Sequence, residues 1–214
     1  LYDYSENSCD INKLAPILKD NIEKLMSIFY KPSDKELLNI RNKIVLETAI
    51  PLFIEKGFTK SPFSTAWFGG NNLNDFEYEL CRLTANSQIE ILSIYVARGD
   101  KWTQINLNIF EIQPTPKSID ELNNADGLQF CLPPNSLTKM RLRSDDIKGP
   151  PIFSSQYLTG HKLNRFFTKG GLNQSINRLT NIFKSDIENF DIFIKRWHEL
   201  HKPLKTDWNG HQIK

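Results

Sequence analysis

Cysteine is scarce in this chain, and the three present, Cys9, Cys81 and Cys131, are widely spaced and odd in number. That excludes the disulfide framework that staples small secreted domains and points to reduced thiols in a cytoplasm, with a single pairing left open. Long apolar runs are missing too. No stretch approaches the ~20 residues of a membrane span, and residues 1–10 have no basic start leading into an apolar core, so neither a membrane helix nor a leader is read there. The first residue is Leu rather than Met, which keeps a processed or longer start open. Nor is there a surplus of charge. Lys and Arg number 27 against 25 Asp and Glu, a formal net charge of +2, whereas phosphate binding shows as a clustered basic face. Repeats and low-complexity tracts are absent, and no segment carries a catalytic or cofactor signature of specific spacing; no cofactor is expected.

What is present is an ordinary globular composition. At 214 residues, 39% hydrophobic and 24% charged, the chain can bury a sizeable core and fits one domain over 1–214. Its many Asn, Ile and Lys residues suggest an AT-rich bacterial genome. Residues 58–112 organise the rest, as the one long segment that reads as consecutive strands. Phe76, Tyr78 and Leu80 alternate with Glu77, Glu79 and Cys81, the period of a half-buried strand. Residues 58–68 form an aromatic strand closed by Gly69, Gly70, Asn71 and Asn72, which tolerate positive φ. Residues 89–98 are nearly all apolar and suit the sheet centre, with Gly99 and Asp100 turning the chain. Over 102–112, Thr103, Ile105, Leu107 and Ile109 face one way, and Gln104, Asn106 and Asn108 the other.

Helical patterns flank this meander. Ile11, Leu14, Leu18, Ile22, Leu25 and Phe29 recur at three- and four-residue spacing over 10–30, and Ser33 with Glu36 opens a second helix that runs toward Gly57. Pro51 removes a backbone donor inside it and predicts a kink near Ala49.

The helix end Ile50-Pro51-Leu52-Phe53-Ile54-Glu55-Lys56-Gly57-Phe58, the aromatic strand after it, and Trp102 leading into Ile105-Asn106-Leu107-Asn108-Ile109 resemble a group of uncharacterised small bacterial domains. The resemblance spans residues 43–112. It implies an α+β domain and carries no catalytic residue across.

Residues 113–154 read as irregular, with short strands at 128–132 and 137–143 around Pro133 and Pro134. After Gly149, Pro150 and Pro151, helices are expected over 157–167, 172–183 and from a second capping pair, Ser185 with Glu188, to about His201, followed by a polar tail over 202–214. The predicted fold class is therefore α+β: a mainly antiparallel meander of four to six strands, with helices from both chain ends (1–57 and 155–201) on one face.

Site candidates are few. Lys139, Arg141 and Arg143 alternate on a predicted strand and so point the same way, toward phosphates or an acidic partner, or simply toward water as edge-strand charges. Trp67, beside the glycine pair, is either a contact aromatic or a core residue, Trp208 is a candidate contact aromatic, and Trp102 and Trp197 suit the core. His198, His201 and His211 would make a metal set only if the tail folded back; the spacing of the first two is three, not the four of the zinc-protease motif, so no shared metal is expected. Glu77 and Glu79 fall on the polar strand face, where solvated charge is the default, and Cys81 has no evident imidazole to activate it. Lys169-Gly170-Gly171 reads as a turn between helices. The expected function is a non-enzymatic bacterial protein-interaction domain, of immunity or accessory type, whose partner is another protein. A nucleic-acid-associated protein using the basic strand is the alternative, and a metal-dependent hydrolase at the histidines the third option.

Overall fold

The computed structural model describes residues 30–84, 87–143, 161–163 and 166–213. The expected helix over 10–30 lies outside them except for Tyr30, which is not helical; Cys9 and the break at 149–151 also lie outside. Most of the expected 157–167 helix does too, and its described residues are not helical.

Helix α1 (Asp34–Ile44) starts where Ser33 Oγ accepts the Glu36 amide, 3.2 Å away. Its predicted kink takes the form of a π turn, Val45–Ala49, just ahead of α2 (Ile50–Glu55). Pro51 has no N–H to continue the ordinary ladder, and the widened turn absorbs the missing bond. The chain then enters the sheet through β1 (Thr59–Lys60), β2 (Phe68–Gly70), β3 (Phe76–Leu83), β4 (Gln88–Val96) and β5 (Gln104–Ile112). The rim is completed by β6 (Met140–Arg141) and, from the C-terminal segment, β7 (Leu204–Thr206).

These seven strands fill five positions. β3, β4 and β5 form the antiparallel meander; β1 and β2 lie in line along the outer edge of β3, and β6 and β7 along the outer edge of β5, β7 being parallel to it. The single strand expected over 58–68 is thus two short pieces, because residues 62–66 leave the edge and bury Phe63 beneath the sheet.

Helices α1, α2, α4 (Lys169–Glu188) and α5 (Phe190–Leu200) cover one sheet face, as the sequence predicts. Phe53, Phe58 and Phe190 meet edge-to-face with centroids 5.2–5.8 Å apart, and Trp197 is buried with its indole N–H on the Thr138 carbonyl, 2.8 Å away. Trp102, expected in the core, is half-buried, with the Lys162 ammonium over its ring. The other face carries a second, smaller core, in which Phe63, Leu122, Ala125 and Phe130 pack on Cys81, Ile89, Ile91, Phe110 and Ile112.

Five local readings change. The strand expected over 128–132 is a short helix, α3 (Leu128–Cys131), entered through Gly127 at φ 75, where an added Cβ would come within 2.5 Å of the Phe63 side chain. Over 137–143 only Met140 and Arg141 are extended, after a 3-10 turn, Asn135–Thr138. Ser185 and Glu188 do not open a helix: the buried stripe Leu172, Ser175, Leu179, Phe183 and Ile187 carries α4 straight through them, and the break falls at Asn189. Gly170 and Gly171 belong to the first turn of α4, capped by Thr168. The tail is likewise ordered, since Asn135 donates to the Gly210 carbonyl at 2.6 Å and β7 pairs with β5. Among the described residues no helix is long and apolar enough to cross a membrane.

Candidate functional site

Register decides what the second sheet face displays. Residues paired across antiparallel strands share a face. Glu77, Tyr95 and Gln104 therefore form one row, Glu79, Ser93, Asn106 and Arg141 the next, and Cys81, Ile91 and Asn108 a third. The second core begins at the Cys81 row. Beyond its margin the face is a polar shelf, on which Glu77, Tyr95, Gln104, Asn106 and Arg141 are all half-buried.

Glu79 stands at the step between core and shelf. Its amide donates to the Trp67 carbonyl (2.9 Å), and its carbonyl accepts from the Ser61 amide (3.0 Å), so the gap between β1 and β2 opens directly beside it. Because Phe68 pairs with Tyr78, the same register sets Trp67 opposite Glu79 and gives it the same face, where the indole is 42% exposed. Glu79 itself is only 7% exposed, a correction to the solvated charge that strand alternation implies. The physical reason is the cover supplied by residues 61–67 and α3, whose Cys131 thiol approaches a Glu79 carboxyl oxygen at 3.8 Å.

Burial raises the Glu79 carboxyl above its ordinary value; the Ser61 hydroxyl and the Lys139 ammonium offset this in part, while Glu77 adds to it. Burial and then the Glu79 carboxylate raise both thiols, Cys81 to about 12, and Cys131 in the same direction. Tyr95 is raised by burial and by Glu77, so its phenol stays protonated and accepts the Lys139 ammonium at 3.1 Å, the cation lying 4.8 Å from the ring centroid. Arg141 is held below its ordinary value by burial, against the pull of Asp100, and among the described residues its guanidinium makes no hydrogen bond or ion pair.

The predicted site residues divide. Trp67, Lys139 and Arg141 fall on the same face, with Trp67 at the β2 edge beside Glu79, Lys139 at Tyr95, and Arg141 at the β6 edge, four strand spacings or roughly 19 Å from Trp67. Arg143 does not join them, because it adopts φ 69 and leaves the strand register. Its guanidinium forks onto Asp186 of α4 with both contacts at 2.5 Å, on the helical side of the sheet. His161 donates to the same carboxylate at 2.7 Å; burial lowers the imidazole, so it is neutral. Burial alone would raise Asp186, yet its bonds to His161 and Arg143 outweigh that and hold it low. This trio ties residue 161, the turn after β6 and α4 together.

The three histidines have different neighbours. His198 and His201 sit against the Trp197 ring, and His211 pairs with Asp207 at 3.2 Å. Among the described residues no three His, Cys, Asp or Glu side chains are grouped to hold a metal ion. Trp208 is half-buried against the second core, its indole N–H on the Pro114 carbonyl.

Sequence reasoning passed over Tyr95 as a site residue, and it named Glu77 and Glu79 only to set them aside as solvated charge. Glu77 and Tyr95 were readable from the pairing of an acidic and an aromatic strand, but only once the register joins them. Comparison with known proteins found no matching family model, curated protein or solved structure.

Proposed function

We propose that this chain is a non-catalytic protein-interaction module, of accessory or immunity type, that docks a partner protein on the shelf of the second sheet face. The observation that carries this reading is a row across the sheet that sets an exposed indole, Trp67, beside Glu79 at one edge and Arg141 at the other, with Glu77 and the Lys139 ammonium at Tyr95 in the neighbouring row. A partly buried indole with an arginine on the same face matches the Trp and Arg enrichment of protein-binding hot spots, and a polar rim is usual around them. The chemistry around it favours binding over nucleophilic attack, since both described thiols are held in the protonated form and His161 is committed to Asp186. Free thiols at Cys81 and Cys131 support a reducing compartment, the bacterial cytoplasm.

The second reading is nucleic-acid binding, favoured by the adjacency of Lys139 and Arg141 and opposed by the two carboxylates beside them. Affinity copurification from the source cells separates the two. The tagged full chain is expected to retain a nuclease-resistant protein partner that is lost by Trp67→Ala and by Lys139→Glu with Arg141→Glu, at unchanged melting temperature. Retention by all variants would overturn the docking face. Salt-sensitive binding of the purified chain to DNA or RNA, lost in the double variant, would replace it with the second reading.

A further inference from the structure

A cleft of about 320 Å³ opens on the far side of the molecule, where the chain ahead of α1 meets the β4–β5 turn and the segments at Lys162 and Phe166. At its floor lies Arg41, 1% exposed. Its guanidinium donates to the carbonyls of Leu37 (3.2 Å), Trp102 (2.7 Å) and Ala97 (2.9 Å). Those bonds brace the β4–β5 turn, but all three acceptors are neutral. A guanidinium has five N–H donors, and a buried cation without an ion partner is costly. Among the described residues no carboxylate reaches Arg41 at ion-pair distance; Asp100, Asp75 and Asp34 act on it only from further away.

The surroundings are positive as well. Lys31, Lys101 and Lys162 line the cleft with Arg41, against the carboxylates of Asp34 and Asp100. Lys162 is oriented by the Trp102 ring, 4.6 Å below its ammonium. Phe166 and Phe167 supply an aromatic wall, and Phe167 is exposed at the mouth. An enclosed floor, a cationic lining and an aromatic side together ask for a ligand with an anionic end and an apolar body. A volume at the small end of ligand pockets, which start at roughly 300 Å³, suits one ring and not a dinucleotide.

We propose that this cleft binds a small organic anion, a carboxylate or phosphate monoester attached to a ring, with the anion between Lys101 and Lys162 above Arg41 and the ring against Phe166 and Phe167. The site is independent of the docking shelf, which lies on the other sheet face.

Isothermal titration calorimetry of the full chain with phenyl phosphate and with phenylacetate tests it, with inorganic phosphate and phenol as the two halves. Saturable one-to-one binding of either whole ligand, tighter than both halves, is expected. Preference for phenyl phosphate assigns the phosphate source, and preference for phenylacetate the carboxylate. Lys101→Glu with Lys162→Glu should weaken binding by about tenfold or more, the scale of a lost charged hydrogen bond, and Lys101→Ala, at an exposed position, should weaken it in the same direction. Arg41 is left intact because it holds the turn. No saturation by either ligand, phenol binding as well as phenyl phosphate, or variants binding as well as the parent would overturn the proposal. Inorganic phosphate equalling phenyl phosphate would also overturn it, as an adventitious ion only.

Discussion

Glu79 shows how far a residue can depart from its sequence pattern. Strand alternation assigns it correctly to the second face, yet whether that face is wet depends on residues 61–67 and 128–131, which reach it from elsewhere in the chain. Periodicity contains no such information. The consequence is a pH dependence of known sign. A carboxyl raised on folding stabilises the native state below its unfolded value, near 4.5, and that contribution is lost as pH rises through the folded value. Glu79→Gln removes the titration while keeping the hydrogen-bonding shape. Its melting temperature relative to the parent should therefore climb as pH is raised from about 4.5 to 8, the gap flattening once Glu79 is fully ionised. Thermal melts across that range check this; a parent that gains on the variant with rising pH would mean that Glu79 is ion-paired and lowered, contrary to its buried setting.

At the scale of elements, the meander was legible because each of its strands carries a period of two or a continuous apolar run, and its turns carry Gly and Asn. Register follows from the same pattern: Ile105 and Ile109 are fully buried, and Asn106, between them, is half-buried on the shelf. Ile105→Ala should cost about 2–5 kcal/mol, and Asn106→Ala much less. Denaturant titrations of the two variants read this directly, and equal losses would contradict the register. The elements that were not legible are those fixed by distant contacts. The 128–132 stretch is apolar enough for a strand, but Gly127 at positive φ and the packing of Phe130 on Phe63 and Phe110 set it as a helix turn. The tail looks polar and aperiodic, and it is Asn135, seventy-five residues away from Gly210 in the chain, that anchors it. The helix boundary at Asn189 escaped for the converse reason, since Ser185 and Glu188 make a plausible cap in isolation while Phe183 and Ile187 hold the helix together across them.

At the scale of the whole molecule, one sheet separates a large helical core from a small loop-built core that stops halfway across. That incomplete cover creates the shelf, and it puts Trp67 on a common face with Lys139 and Arg141, more than seventy residues later in the chain. Sequence reasoning named all three but joined Arg143 to them, because a two-residue strand ending in a left-handed turn cannot be told from a longer one by alternation alone. Cys81 and Cys131 are both free, and their protonated thiols resist oxidation, so a reductant should leave the thermal midpoint unchanged. A marked drop would reveal a structural disulfide and argue for an oxidising compartment. The central claim, that the shelf is where a partner docks, is tested most directly by site-specific photocrosslinking in intact source cells. A benzophenone amino acid replaces Trp67 in one variant and Ile192, exposed on the helical side at α5, in another. The account predicts a protein adduct of defined mass from position 67 and none from position 192. No adduct at 67, or the same adduct from both positions, would contradict it.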